Sequence, residues 1–331
     1  MTIFNYCTLF NNKYLSRGLV LYDSLCEVHN DFCLYIFAFD EKTKDYLISL
    51  KLNHAIIIGM DEFEDTELLR IKPTRTFSEY CWTCTPSVIK YAIEKYNLAS
   101  CTYLDADMYF YASPGEIFIE LSDSSIGLSP HNYSQEYDKS KMSGKYCVQF
   151  VFFRNDQNGT AALTWWRNEC IKWCYARVEK GKFGDQKYLD SFSSLFHKLH
   201  VIENHGSGIA PWNILRYKFQ CVGNKIIGIT FTNDEFPVVF YHFHKLDINH
   251  GEKVIRLRKY NYSQNVLNTF YVPYIEKLLA YDSVFHKTSY KIEDFKFIVP
   301  NKIQLKYLRF IGKLGEWMFI RRLFNFIVKS K

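Results

Sequence analysis

The hydrophobic positions in the first hundred residues follow two alternating rhythms. Residues 2–10 (TIFNYCTLF), 31–39 (DFCLYIFAF) and 53–59 (NHAIIIG) are short, nearly continuous apolar runs, which is how a strand covered on both faces reads. Residues 16–28 and 40–51 instead repeat apolar side chains every three or four positions, the period of one helix face. Ser16 is placed to cap the first of these helices, and Asp40 and Glu41 open the second with acids, which the partial positive charge of a helix N-terminus favours. Strands and helices in alternation build a mostly parallel sheet with helices on its faces, so the expected class is α/β.

A longer helical region over 76–98, with Pro86 read as lying near a helix start, leads into another apolar strand. That strand breaks off in Asp105-Ala106-Asp107 and then becomes aromatic. Sheets of this kind bind ligands beyond the carboxyl ends of their strands, so the acidic pair stands where the fold places chemistry. The second half is less regular. Strands are expected over 146–156, 198–204, 218–231 and 236–246, and helices over 160–178, 183–196 and 265–284. Within 236–246, Val238, Phe240, His242 and His244 alternate onto one strand face, so both imidazoles can line one cleft. No internal repeat or low-complexity linker divides the chain, and the expected organisation is one domain over 1–300 with a tail over 301–331.

Composition narrows the function. The chain has 331 residues, 48% of them hydrophobic and 18% aromatic, enough for a large packed core and too apolar for disorder. Its ten cysteines lie mostly in apolar stretches without framework spacing, which favours reduced thiols and a cytoplasmic protein. No secretory signal is read at the start. A zinc site built from Cys81, Cys84, Cys170 and Cys174 is disfavoured because the second pair sits at helical spacing, where one buried face explains it. The net charge of +6 is uneven: residues 301–331 carry eight Lys and Arg against Glu316, or +7, and the remaining 300 residues sum to −1. A nucleic-acid surface on the main body is therefore not indicated. The glycine-rich phosphate loop and the dinucleotide fingerprint are missing from the sequence, which leaves ATP hydrolysis and NAD chemistry unsupported.

In the tail, Lys302, Lys306, Arg309 and Lys313 share one helical face and Phe310, Ile311, Leu314, Trp317 and Met318 another. Such a basic, aromatic helix suits an anionic membrane surface, placing the protein peripherally on the inner face of the plasma membrane. Docking of the tail on the domain or at a homodimer interface is the alternative.

The acidic pair can hold a cation or be a polar turn at the sheet edge: on a turn, one or both carboxylates can reach a divalent cation, and hard oxygen ligands suit Mg²⁺ or Mn²⁺. Taken alone the tripeptide is a weak signal, since turns are rich in Asp.

Taken in order, residues 5–25 (NYCTLFNNKYLSRGLVLYDSL), 103–110 (YLDADMYF), 183–190 (FGDQKYLD) and 241–246 (YHFHKL) resemble the GT-A fold nucleotide-sugar glycosyltransferases. The likeness is greatest to the retaining family that contains glycogenin and bacterial lipooligosaccharide galactosyltransferases, and it spans roughly residues 1–250. It implies a Rossmann-like, mostly parallel sheet and a metal, Mn²⁺ or Mg²⁺, held by Asp105, Asp107 and the His242 of a His-Phe pair. It assigns the nucleotide to Thr8, Tyr14, Arg17, Asp105, His244 and Lys245, although the Gly and Lys-Pro-Trp that usually follow are not found. Asp185 would bind donor-sugar hydroxyls, with Gln186 near the anomeric carbon. Glutamine is a weak nucleophile, so a same-face displacement is implied, in which the leaving phosphate takes the acceptor proton.

Tyr146-Cys147-Val148-Gln149-Phe150 stands where the family has an aromatic, Asn, a small residue and Gly. That places Gln149 at the sugar, with Trp212 and Asn213 of GSGIAPWNI as a sugar or acceptor platform. The implied reaction moves a hexose from a UDP-sugar to a surface glycan or lipid-linked acceptor. Two rivals remain: a sugar nucleotidyltransferase, which should carry a basic glycine-rich phosphate loop where LFNNKYLSRG stands, and a non-catalytic membrane-attached glycan-binding protein.

Overall fold

The computed structural model describes residues 3–300, and the basic helix expected over 301–331 lies outside them. The three N-terminal apolar runs are strands β1 (Phe4–Phe10), β2 (Phe32–Ala38) and β3 (Ala55–Gly59). The run that breaks at the acids is β4 (Ser100–Leu104), followed by the short β5 (Met108–Phe110). β6 (Ile126–Pro130), β7 (Tyr146–Arg154) and β8 (Leu199–Val201) complete a seven-stranded sheet ordered β3-β2-β1-β4-β7-β6-β8. The first four of these run parallel, β7 is antiparallel to both neighbours, and β8 is parallel to β6. The sheet is thus mostly parallel, as its alternating sequence implies.

Both faces of the sheet are covered, which is why β1 reads as apolar throughout. Tyr6 and Phe10 join the core beneath helices α1 (Leu15–Val28) and α2 (Glu41–Leu50). Cys7 and Leu9 point the other way, beneath α3 (Phe77–Lys95) and α4 (Gln157–Lys172). A side chain as large as the fully buried Trp166 of α4 contributes about 3 kcal/mol by burial.

The C-terminal part builds a third core and reaches back to the acids. The hairpin β9 (Lys218–Val222) and β10 (Lys225–Ile229) is extended by β11 (Glu235–Pro237). β12 (Phe240–His242) then pairs antiparallel with β5, setting His242 opposite Met108, and Phe243 N–H donates to the Asp107 carbonyl at 2.8 Å. β13 (Leu246–Asn249), β14 (Val254–Leu257) and β15 (Lys296–Ile298) form a small sheet beside α5 (Val272–His286).

Several elements differ from their sequence reading. Ser16 is not a cap, because the chain enters α1 through a 3-10 turn (Asn12–Tyr14) whose cap is Asn11, and Ser16 lies buried inside the helix. Pro86 lies in the middle of α3, where it removes one backbone bond; the helix starts at Thr76, whose hydroxyl and the Glu79 carboxylate form a reciprocal capping box. α4 stops at Lys172, short of Cys174, although Cys170 and Cys174 share one core.

The helix expected over 183–196 is a 3-10 segment (Gln186–Ser191) and one α turn (Phe192–Leu195), entered through Gly184 at φ 54°. The helix over 265–284 contains a π segment (Leu267–Tyr271) just ahead of Pro273, which has no N–H for an α ladder. The strand over 236–246 is three strands, because the chain changes partners from β10 to β5 to β14.

Candidate active site

Asp105 and Asp107 occupy the turn between β4 and β5, beyond the carboxyl end of a central parallel strand. Asp105 N–H donates to the Gln149 carbonyl of β7 at 3.1 Å, which ties the turn to the sheet. β12 delivers His242 from the other side: its Nε2 lies 3.1 Å from Asp107 Oδ1 and 3.8 Å from Asp105 Oδ2. Ligand atoms of the three residues all fall within 4.8 Å of one another. Two carboxylates and an imidazole at that spacing fit a divalent cation. Burial pushes the Asp105 carboxyl up to about 6, His242 opposes that rise, and Asp107 adds to it. Burial would raise Asp107 too, but His242, His244 and Arg17 hold it well below the usual carboxylate range. Burial disfavours the charged form of His242, and the two acids override it and drive its proton affinity up.

The ring of His242 is fixed from behind. Its Nδ1 lies 2.9 Å from Gln149 Oε1, and Gln149 is fully buried. Gln149, expected at the sugar, engages the histidine. Trp212 is also redirected. It is 4% exposed, its indole N–H donates to the His131 carbonyl, and its rings meet His242 and His244 edge-on at 5.3 and 5.4 Å. Its ring is thus almost wholly covered by the described residues.

Asn213 is equally committed, donating to the His131 and Gly208 carbonyls and accepting from Ala210 N–H. Trp212 and Asn213 were expected at a sugar because only their type was visible in sequence; in the fold Trp212 packs against the histidines and Asn213 bonds the loop at Gly208.

Asp185 is buried, its backbone carbonyl held by the Trp166 indole N–H at 2.9 Å. Its side chain does not cap the segment that follows. Burial, then the charge of Asp105, push its carboxyl up to about 7, while the Thr85 hydroxyl works in the opposite direction. It is thus a carboxyl poised between donor and acceptor near neutral pH, with the half-buried Gln186 beside it.

Among the residues expected at a nucleotide, Arg17 stacks over the Tyr14 ring at 4.6 Å and donates to the Leu246 carbonyl at 3.1 Å. The Tyr14 hydroxyl is pushed up to about 12, chiefly by Asp107, so both side chains border the acids. Thr8 is fully buried on β1, and its hydroxyl has no partner among the described residues. His244 is kept neutral by burial and by its charged neighbour His242. Lys245 is exposed, on a left-handed turn at φ 66°.

No protein-family model matches the chain. It is 34% identical over 246 residues to the uncharacterized protein YfnF of Bacillus subtilis (strain 168), covering 72% of this chain and 80% of that one. It is 31% identical over 287 residues to the uncharacterized protein YfnD of the same organism, covering 84% of this chain and 89% of that one. The chain belongs to the family of YfnF and YfnD. Among solved structures it resembles the galactosyltransferase LgtC in complex with donor and acceptor sugar analogues, at 12% identity and a TM-score of 0.51, over 83% of this chain and 95% of that one. The fold of this YfnF/YfnD relative is accordingly GT-A, as its motifs implied.

Within that fold two further residues belong to the site. Tyr274 of α5 stacks on Phe243 at 3.6 Å and 5°, pinning the residue next to His242. Cys147, two residues before Gln149 on β7, is buried beside the same imidazole, which offsets part of the rise in proton affinity that burial imposes on its thiol. Neither carried a signal in the sequence beyond being apolar or aromatic in a core element. What the arrangement can do is hold a divalent cation between two strand ends, with a protonatable carboxyl and a cationic, aromatic rim nearby.

Proposed function

We propose that this member of the YfnF/YfnD family is a metal-dependent glycosyltransferase. It moves a hexose from a nucleoside-diphosphate sugar, a UDP-sugar for preference, to a surface glycan or lipid-linked acceptor. The single observation that carries this reading is the convergence of Asp105, Asp107 and His242 at the end of the central strand of a GT-A fold. These three residues would hold Mn²⁺ or Mg²⁺, which when bound neutralises the charge developing on the departing diphosphate. Arg17 and Tyr14 stand where they can border the nucleotide, joined by His244, Lys245 and the unpartnered hydroxyl of Thr8.

Asp185, with its proton affinity near neutrality, either donates to or accepts from a sugar hydroxyl. Gln186 next to it is too weak a nucleophile for a covalent intermediate, which favours retention by same-face displacement. The excess of basic residues over 301–331 supports attachment to an anionic membrane surface, and with it a lipid-linked acceptor.

Calorimetric titration with UDP and GDP, with and without Mn²⁺, on the wild type and on Asp107→Ala tests the reading. Mn²⁺-dependent binding in the wild type and its loss by at least ~10-fold in the variant are expected, because removing one of few charged ligands costs more than 1.4 kcal/mol. Binding that ignores the metal, or an unaltered variant, overturns it.

A further inference from the structure

We propose that Gln149 is the residue that makes His242 a metal ligand, acting as a positioning residue through both its side chain and its backbone. The proposal rests on the metal site argued above. The hydrogen bond between Gln149 Oε1 and His242 Nδ1 is 2.9 Å long and lies between two side chains that are 0% and 4% exposed. An amide oxygen can only accept, so Nδ1 must carry the proton. With Nδ1 committed as a donor, the nitrogen left to offer a lone pair is Nε2, the atom that faces Asp107 at 3.1 Å and Asp105 at 3.8 Å. Histidines that bind metals characteristically donate their other ring N–H in this way, which selects the tautomer and fixes the ring plane.

Three features hold the amide in place. Its Nε2 donates to Ser129 Oγ at 3.4 Å, which leaves Oε1 for the histidine. The loop at Gly208 lies directly on it: a Cβ there would come within 2.8 Å of Gln149 Nε2 and 3.2 Å of Ser129 Oγ, and the backbone has φ 83°. Asn213 ties that loop down by donating to the Gly208 carbonyl at 2.8 Å.

The backbone of Gln149 meanwhile accepts from Asp105 N–H at 3.1 Å. One residue thus sets the position of a carboxylate ligand and the tautomer of the imidazole ligand. This explains glutamine at a strand position that faces no solvent.

The test compares wild type, Gln149→Met and Gln149→Glu. Met keeps the volume and removes the acceptor; Glu keeps an acceptor and loses the donor to Ser129. Mn²⁺ binding is followed by electron paramagnetic resonance, alone and with UDP, and the imidazole N–H signals of His242 by ¹H–¹⁵N NMR without metal. Expected are a His242 Nδ1–H slowed in exchange with water in the wild type, its loss in Gln149→Met with a roughly 10–100-fold weaker Mn²⁺ affinity, and substantial rescue in Gln149→Glu. A wild type that binds Mn²⁺ alongside a Gln149→Met variant that binds it equally well overturns the proposal. So does a wild-type His242 with its proton on Nε2 alone, a readout that stands even if Gln149→Met fails to fold. A wild type that binds no Mn²⁺ under either condition instead removes the metal reading on which the proposal rests.

Discussion

His131 is buried behind the two site histidines, its ring stacked on Tyr133 at 4.5 Å and edge-on to Trp212 at 5.3 Å. Burial pulls its proton affinity down from the ordinary 6.5 to about 4, and the charge of His242 adds to that. The unfolded chain therefore takes up this proton first. The stability contributed by a neutral His131 is present above pH 6.5 and is lost as pH falls towards 4. Chemical denaturation should show the wild type losing roughly 1.5 kcal/mol more than His131→Phe between about pH 6.5 and about pH 5. Equal losses would mean that the imidazole is not held neutral. Asp185 acts in the opposite sense: its raised carboxyl binds a proton in the folded state first, so its contribution falls as pH rises through 3.8 towards 7. Both residue types stand in the sequence, but neither proton affinity can be read there, because each comes from burial by segments distant in the chain.

At the level of elements, α3 covers the helical region expected over 76–98, but its start is set by Thr76 and not by Pro86, which lies inside it. Thr76 and Glu79 form a capping box three residues apart, and Glu79 also accepts from Ala176 N–H at 2.8 Å. Thr76→Ala should lower stability by about 1 kcal/mol, read as a shift in denaturant midpoint at unchanged slope. Glu79→Ala should cost more than Thr76→Ala, because it also orphans the Ala176 donor. An equal or smaller loss would show that this second bond contributes nothing. The alternating strands and helices of the N-terminal half were legible because each is a local pattern of burial. The break of 236–246 into β11, β12 and β13 was not, since it reflects three different pairing partners and not any change in the strand's own alternation. The same exchange of partners carries His242 to the acids.

For the molecule as a whole, the charge distribution sets a further expectation. Residues 301–331 hold +7 and the rest of the chain −1, and juxtaposed Lys and Arg each contribute about 1 kcal/mol near an anionic leaflet. A protein truncated after residue 300 should lose sedimentation with anionic liposomes and keep Mn²⁺-dependent nucleotide binding. A truncated protein that still sediments would place the membrane contact elsewhere. Among the described residues no helix is long and apolar enough to cross a membrane.

The sequence by itself determined the α/β class and the placement of Asp105 and Asp107 after a buried strand, because each is written in local pattern, while the pairing of those acids with His242 was implied by the family resemblance alone. The tertiary structure decided which side chains complete the site. Gln149, Trp212 and Asn213 were expected to meet a sugar; Gln149 and Trp212 pack against His242, and Asn213 bonds the loop at Gly208. The reason is geometric: whether a polar side chain faces a cleft or a neighbour depends on the contact between β7, β12 and the loop at Gly208, which are separated by dozens of residues and share no periodicity that could announce it.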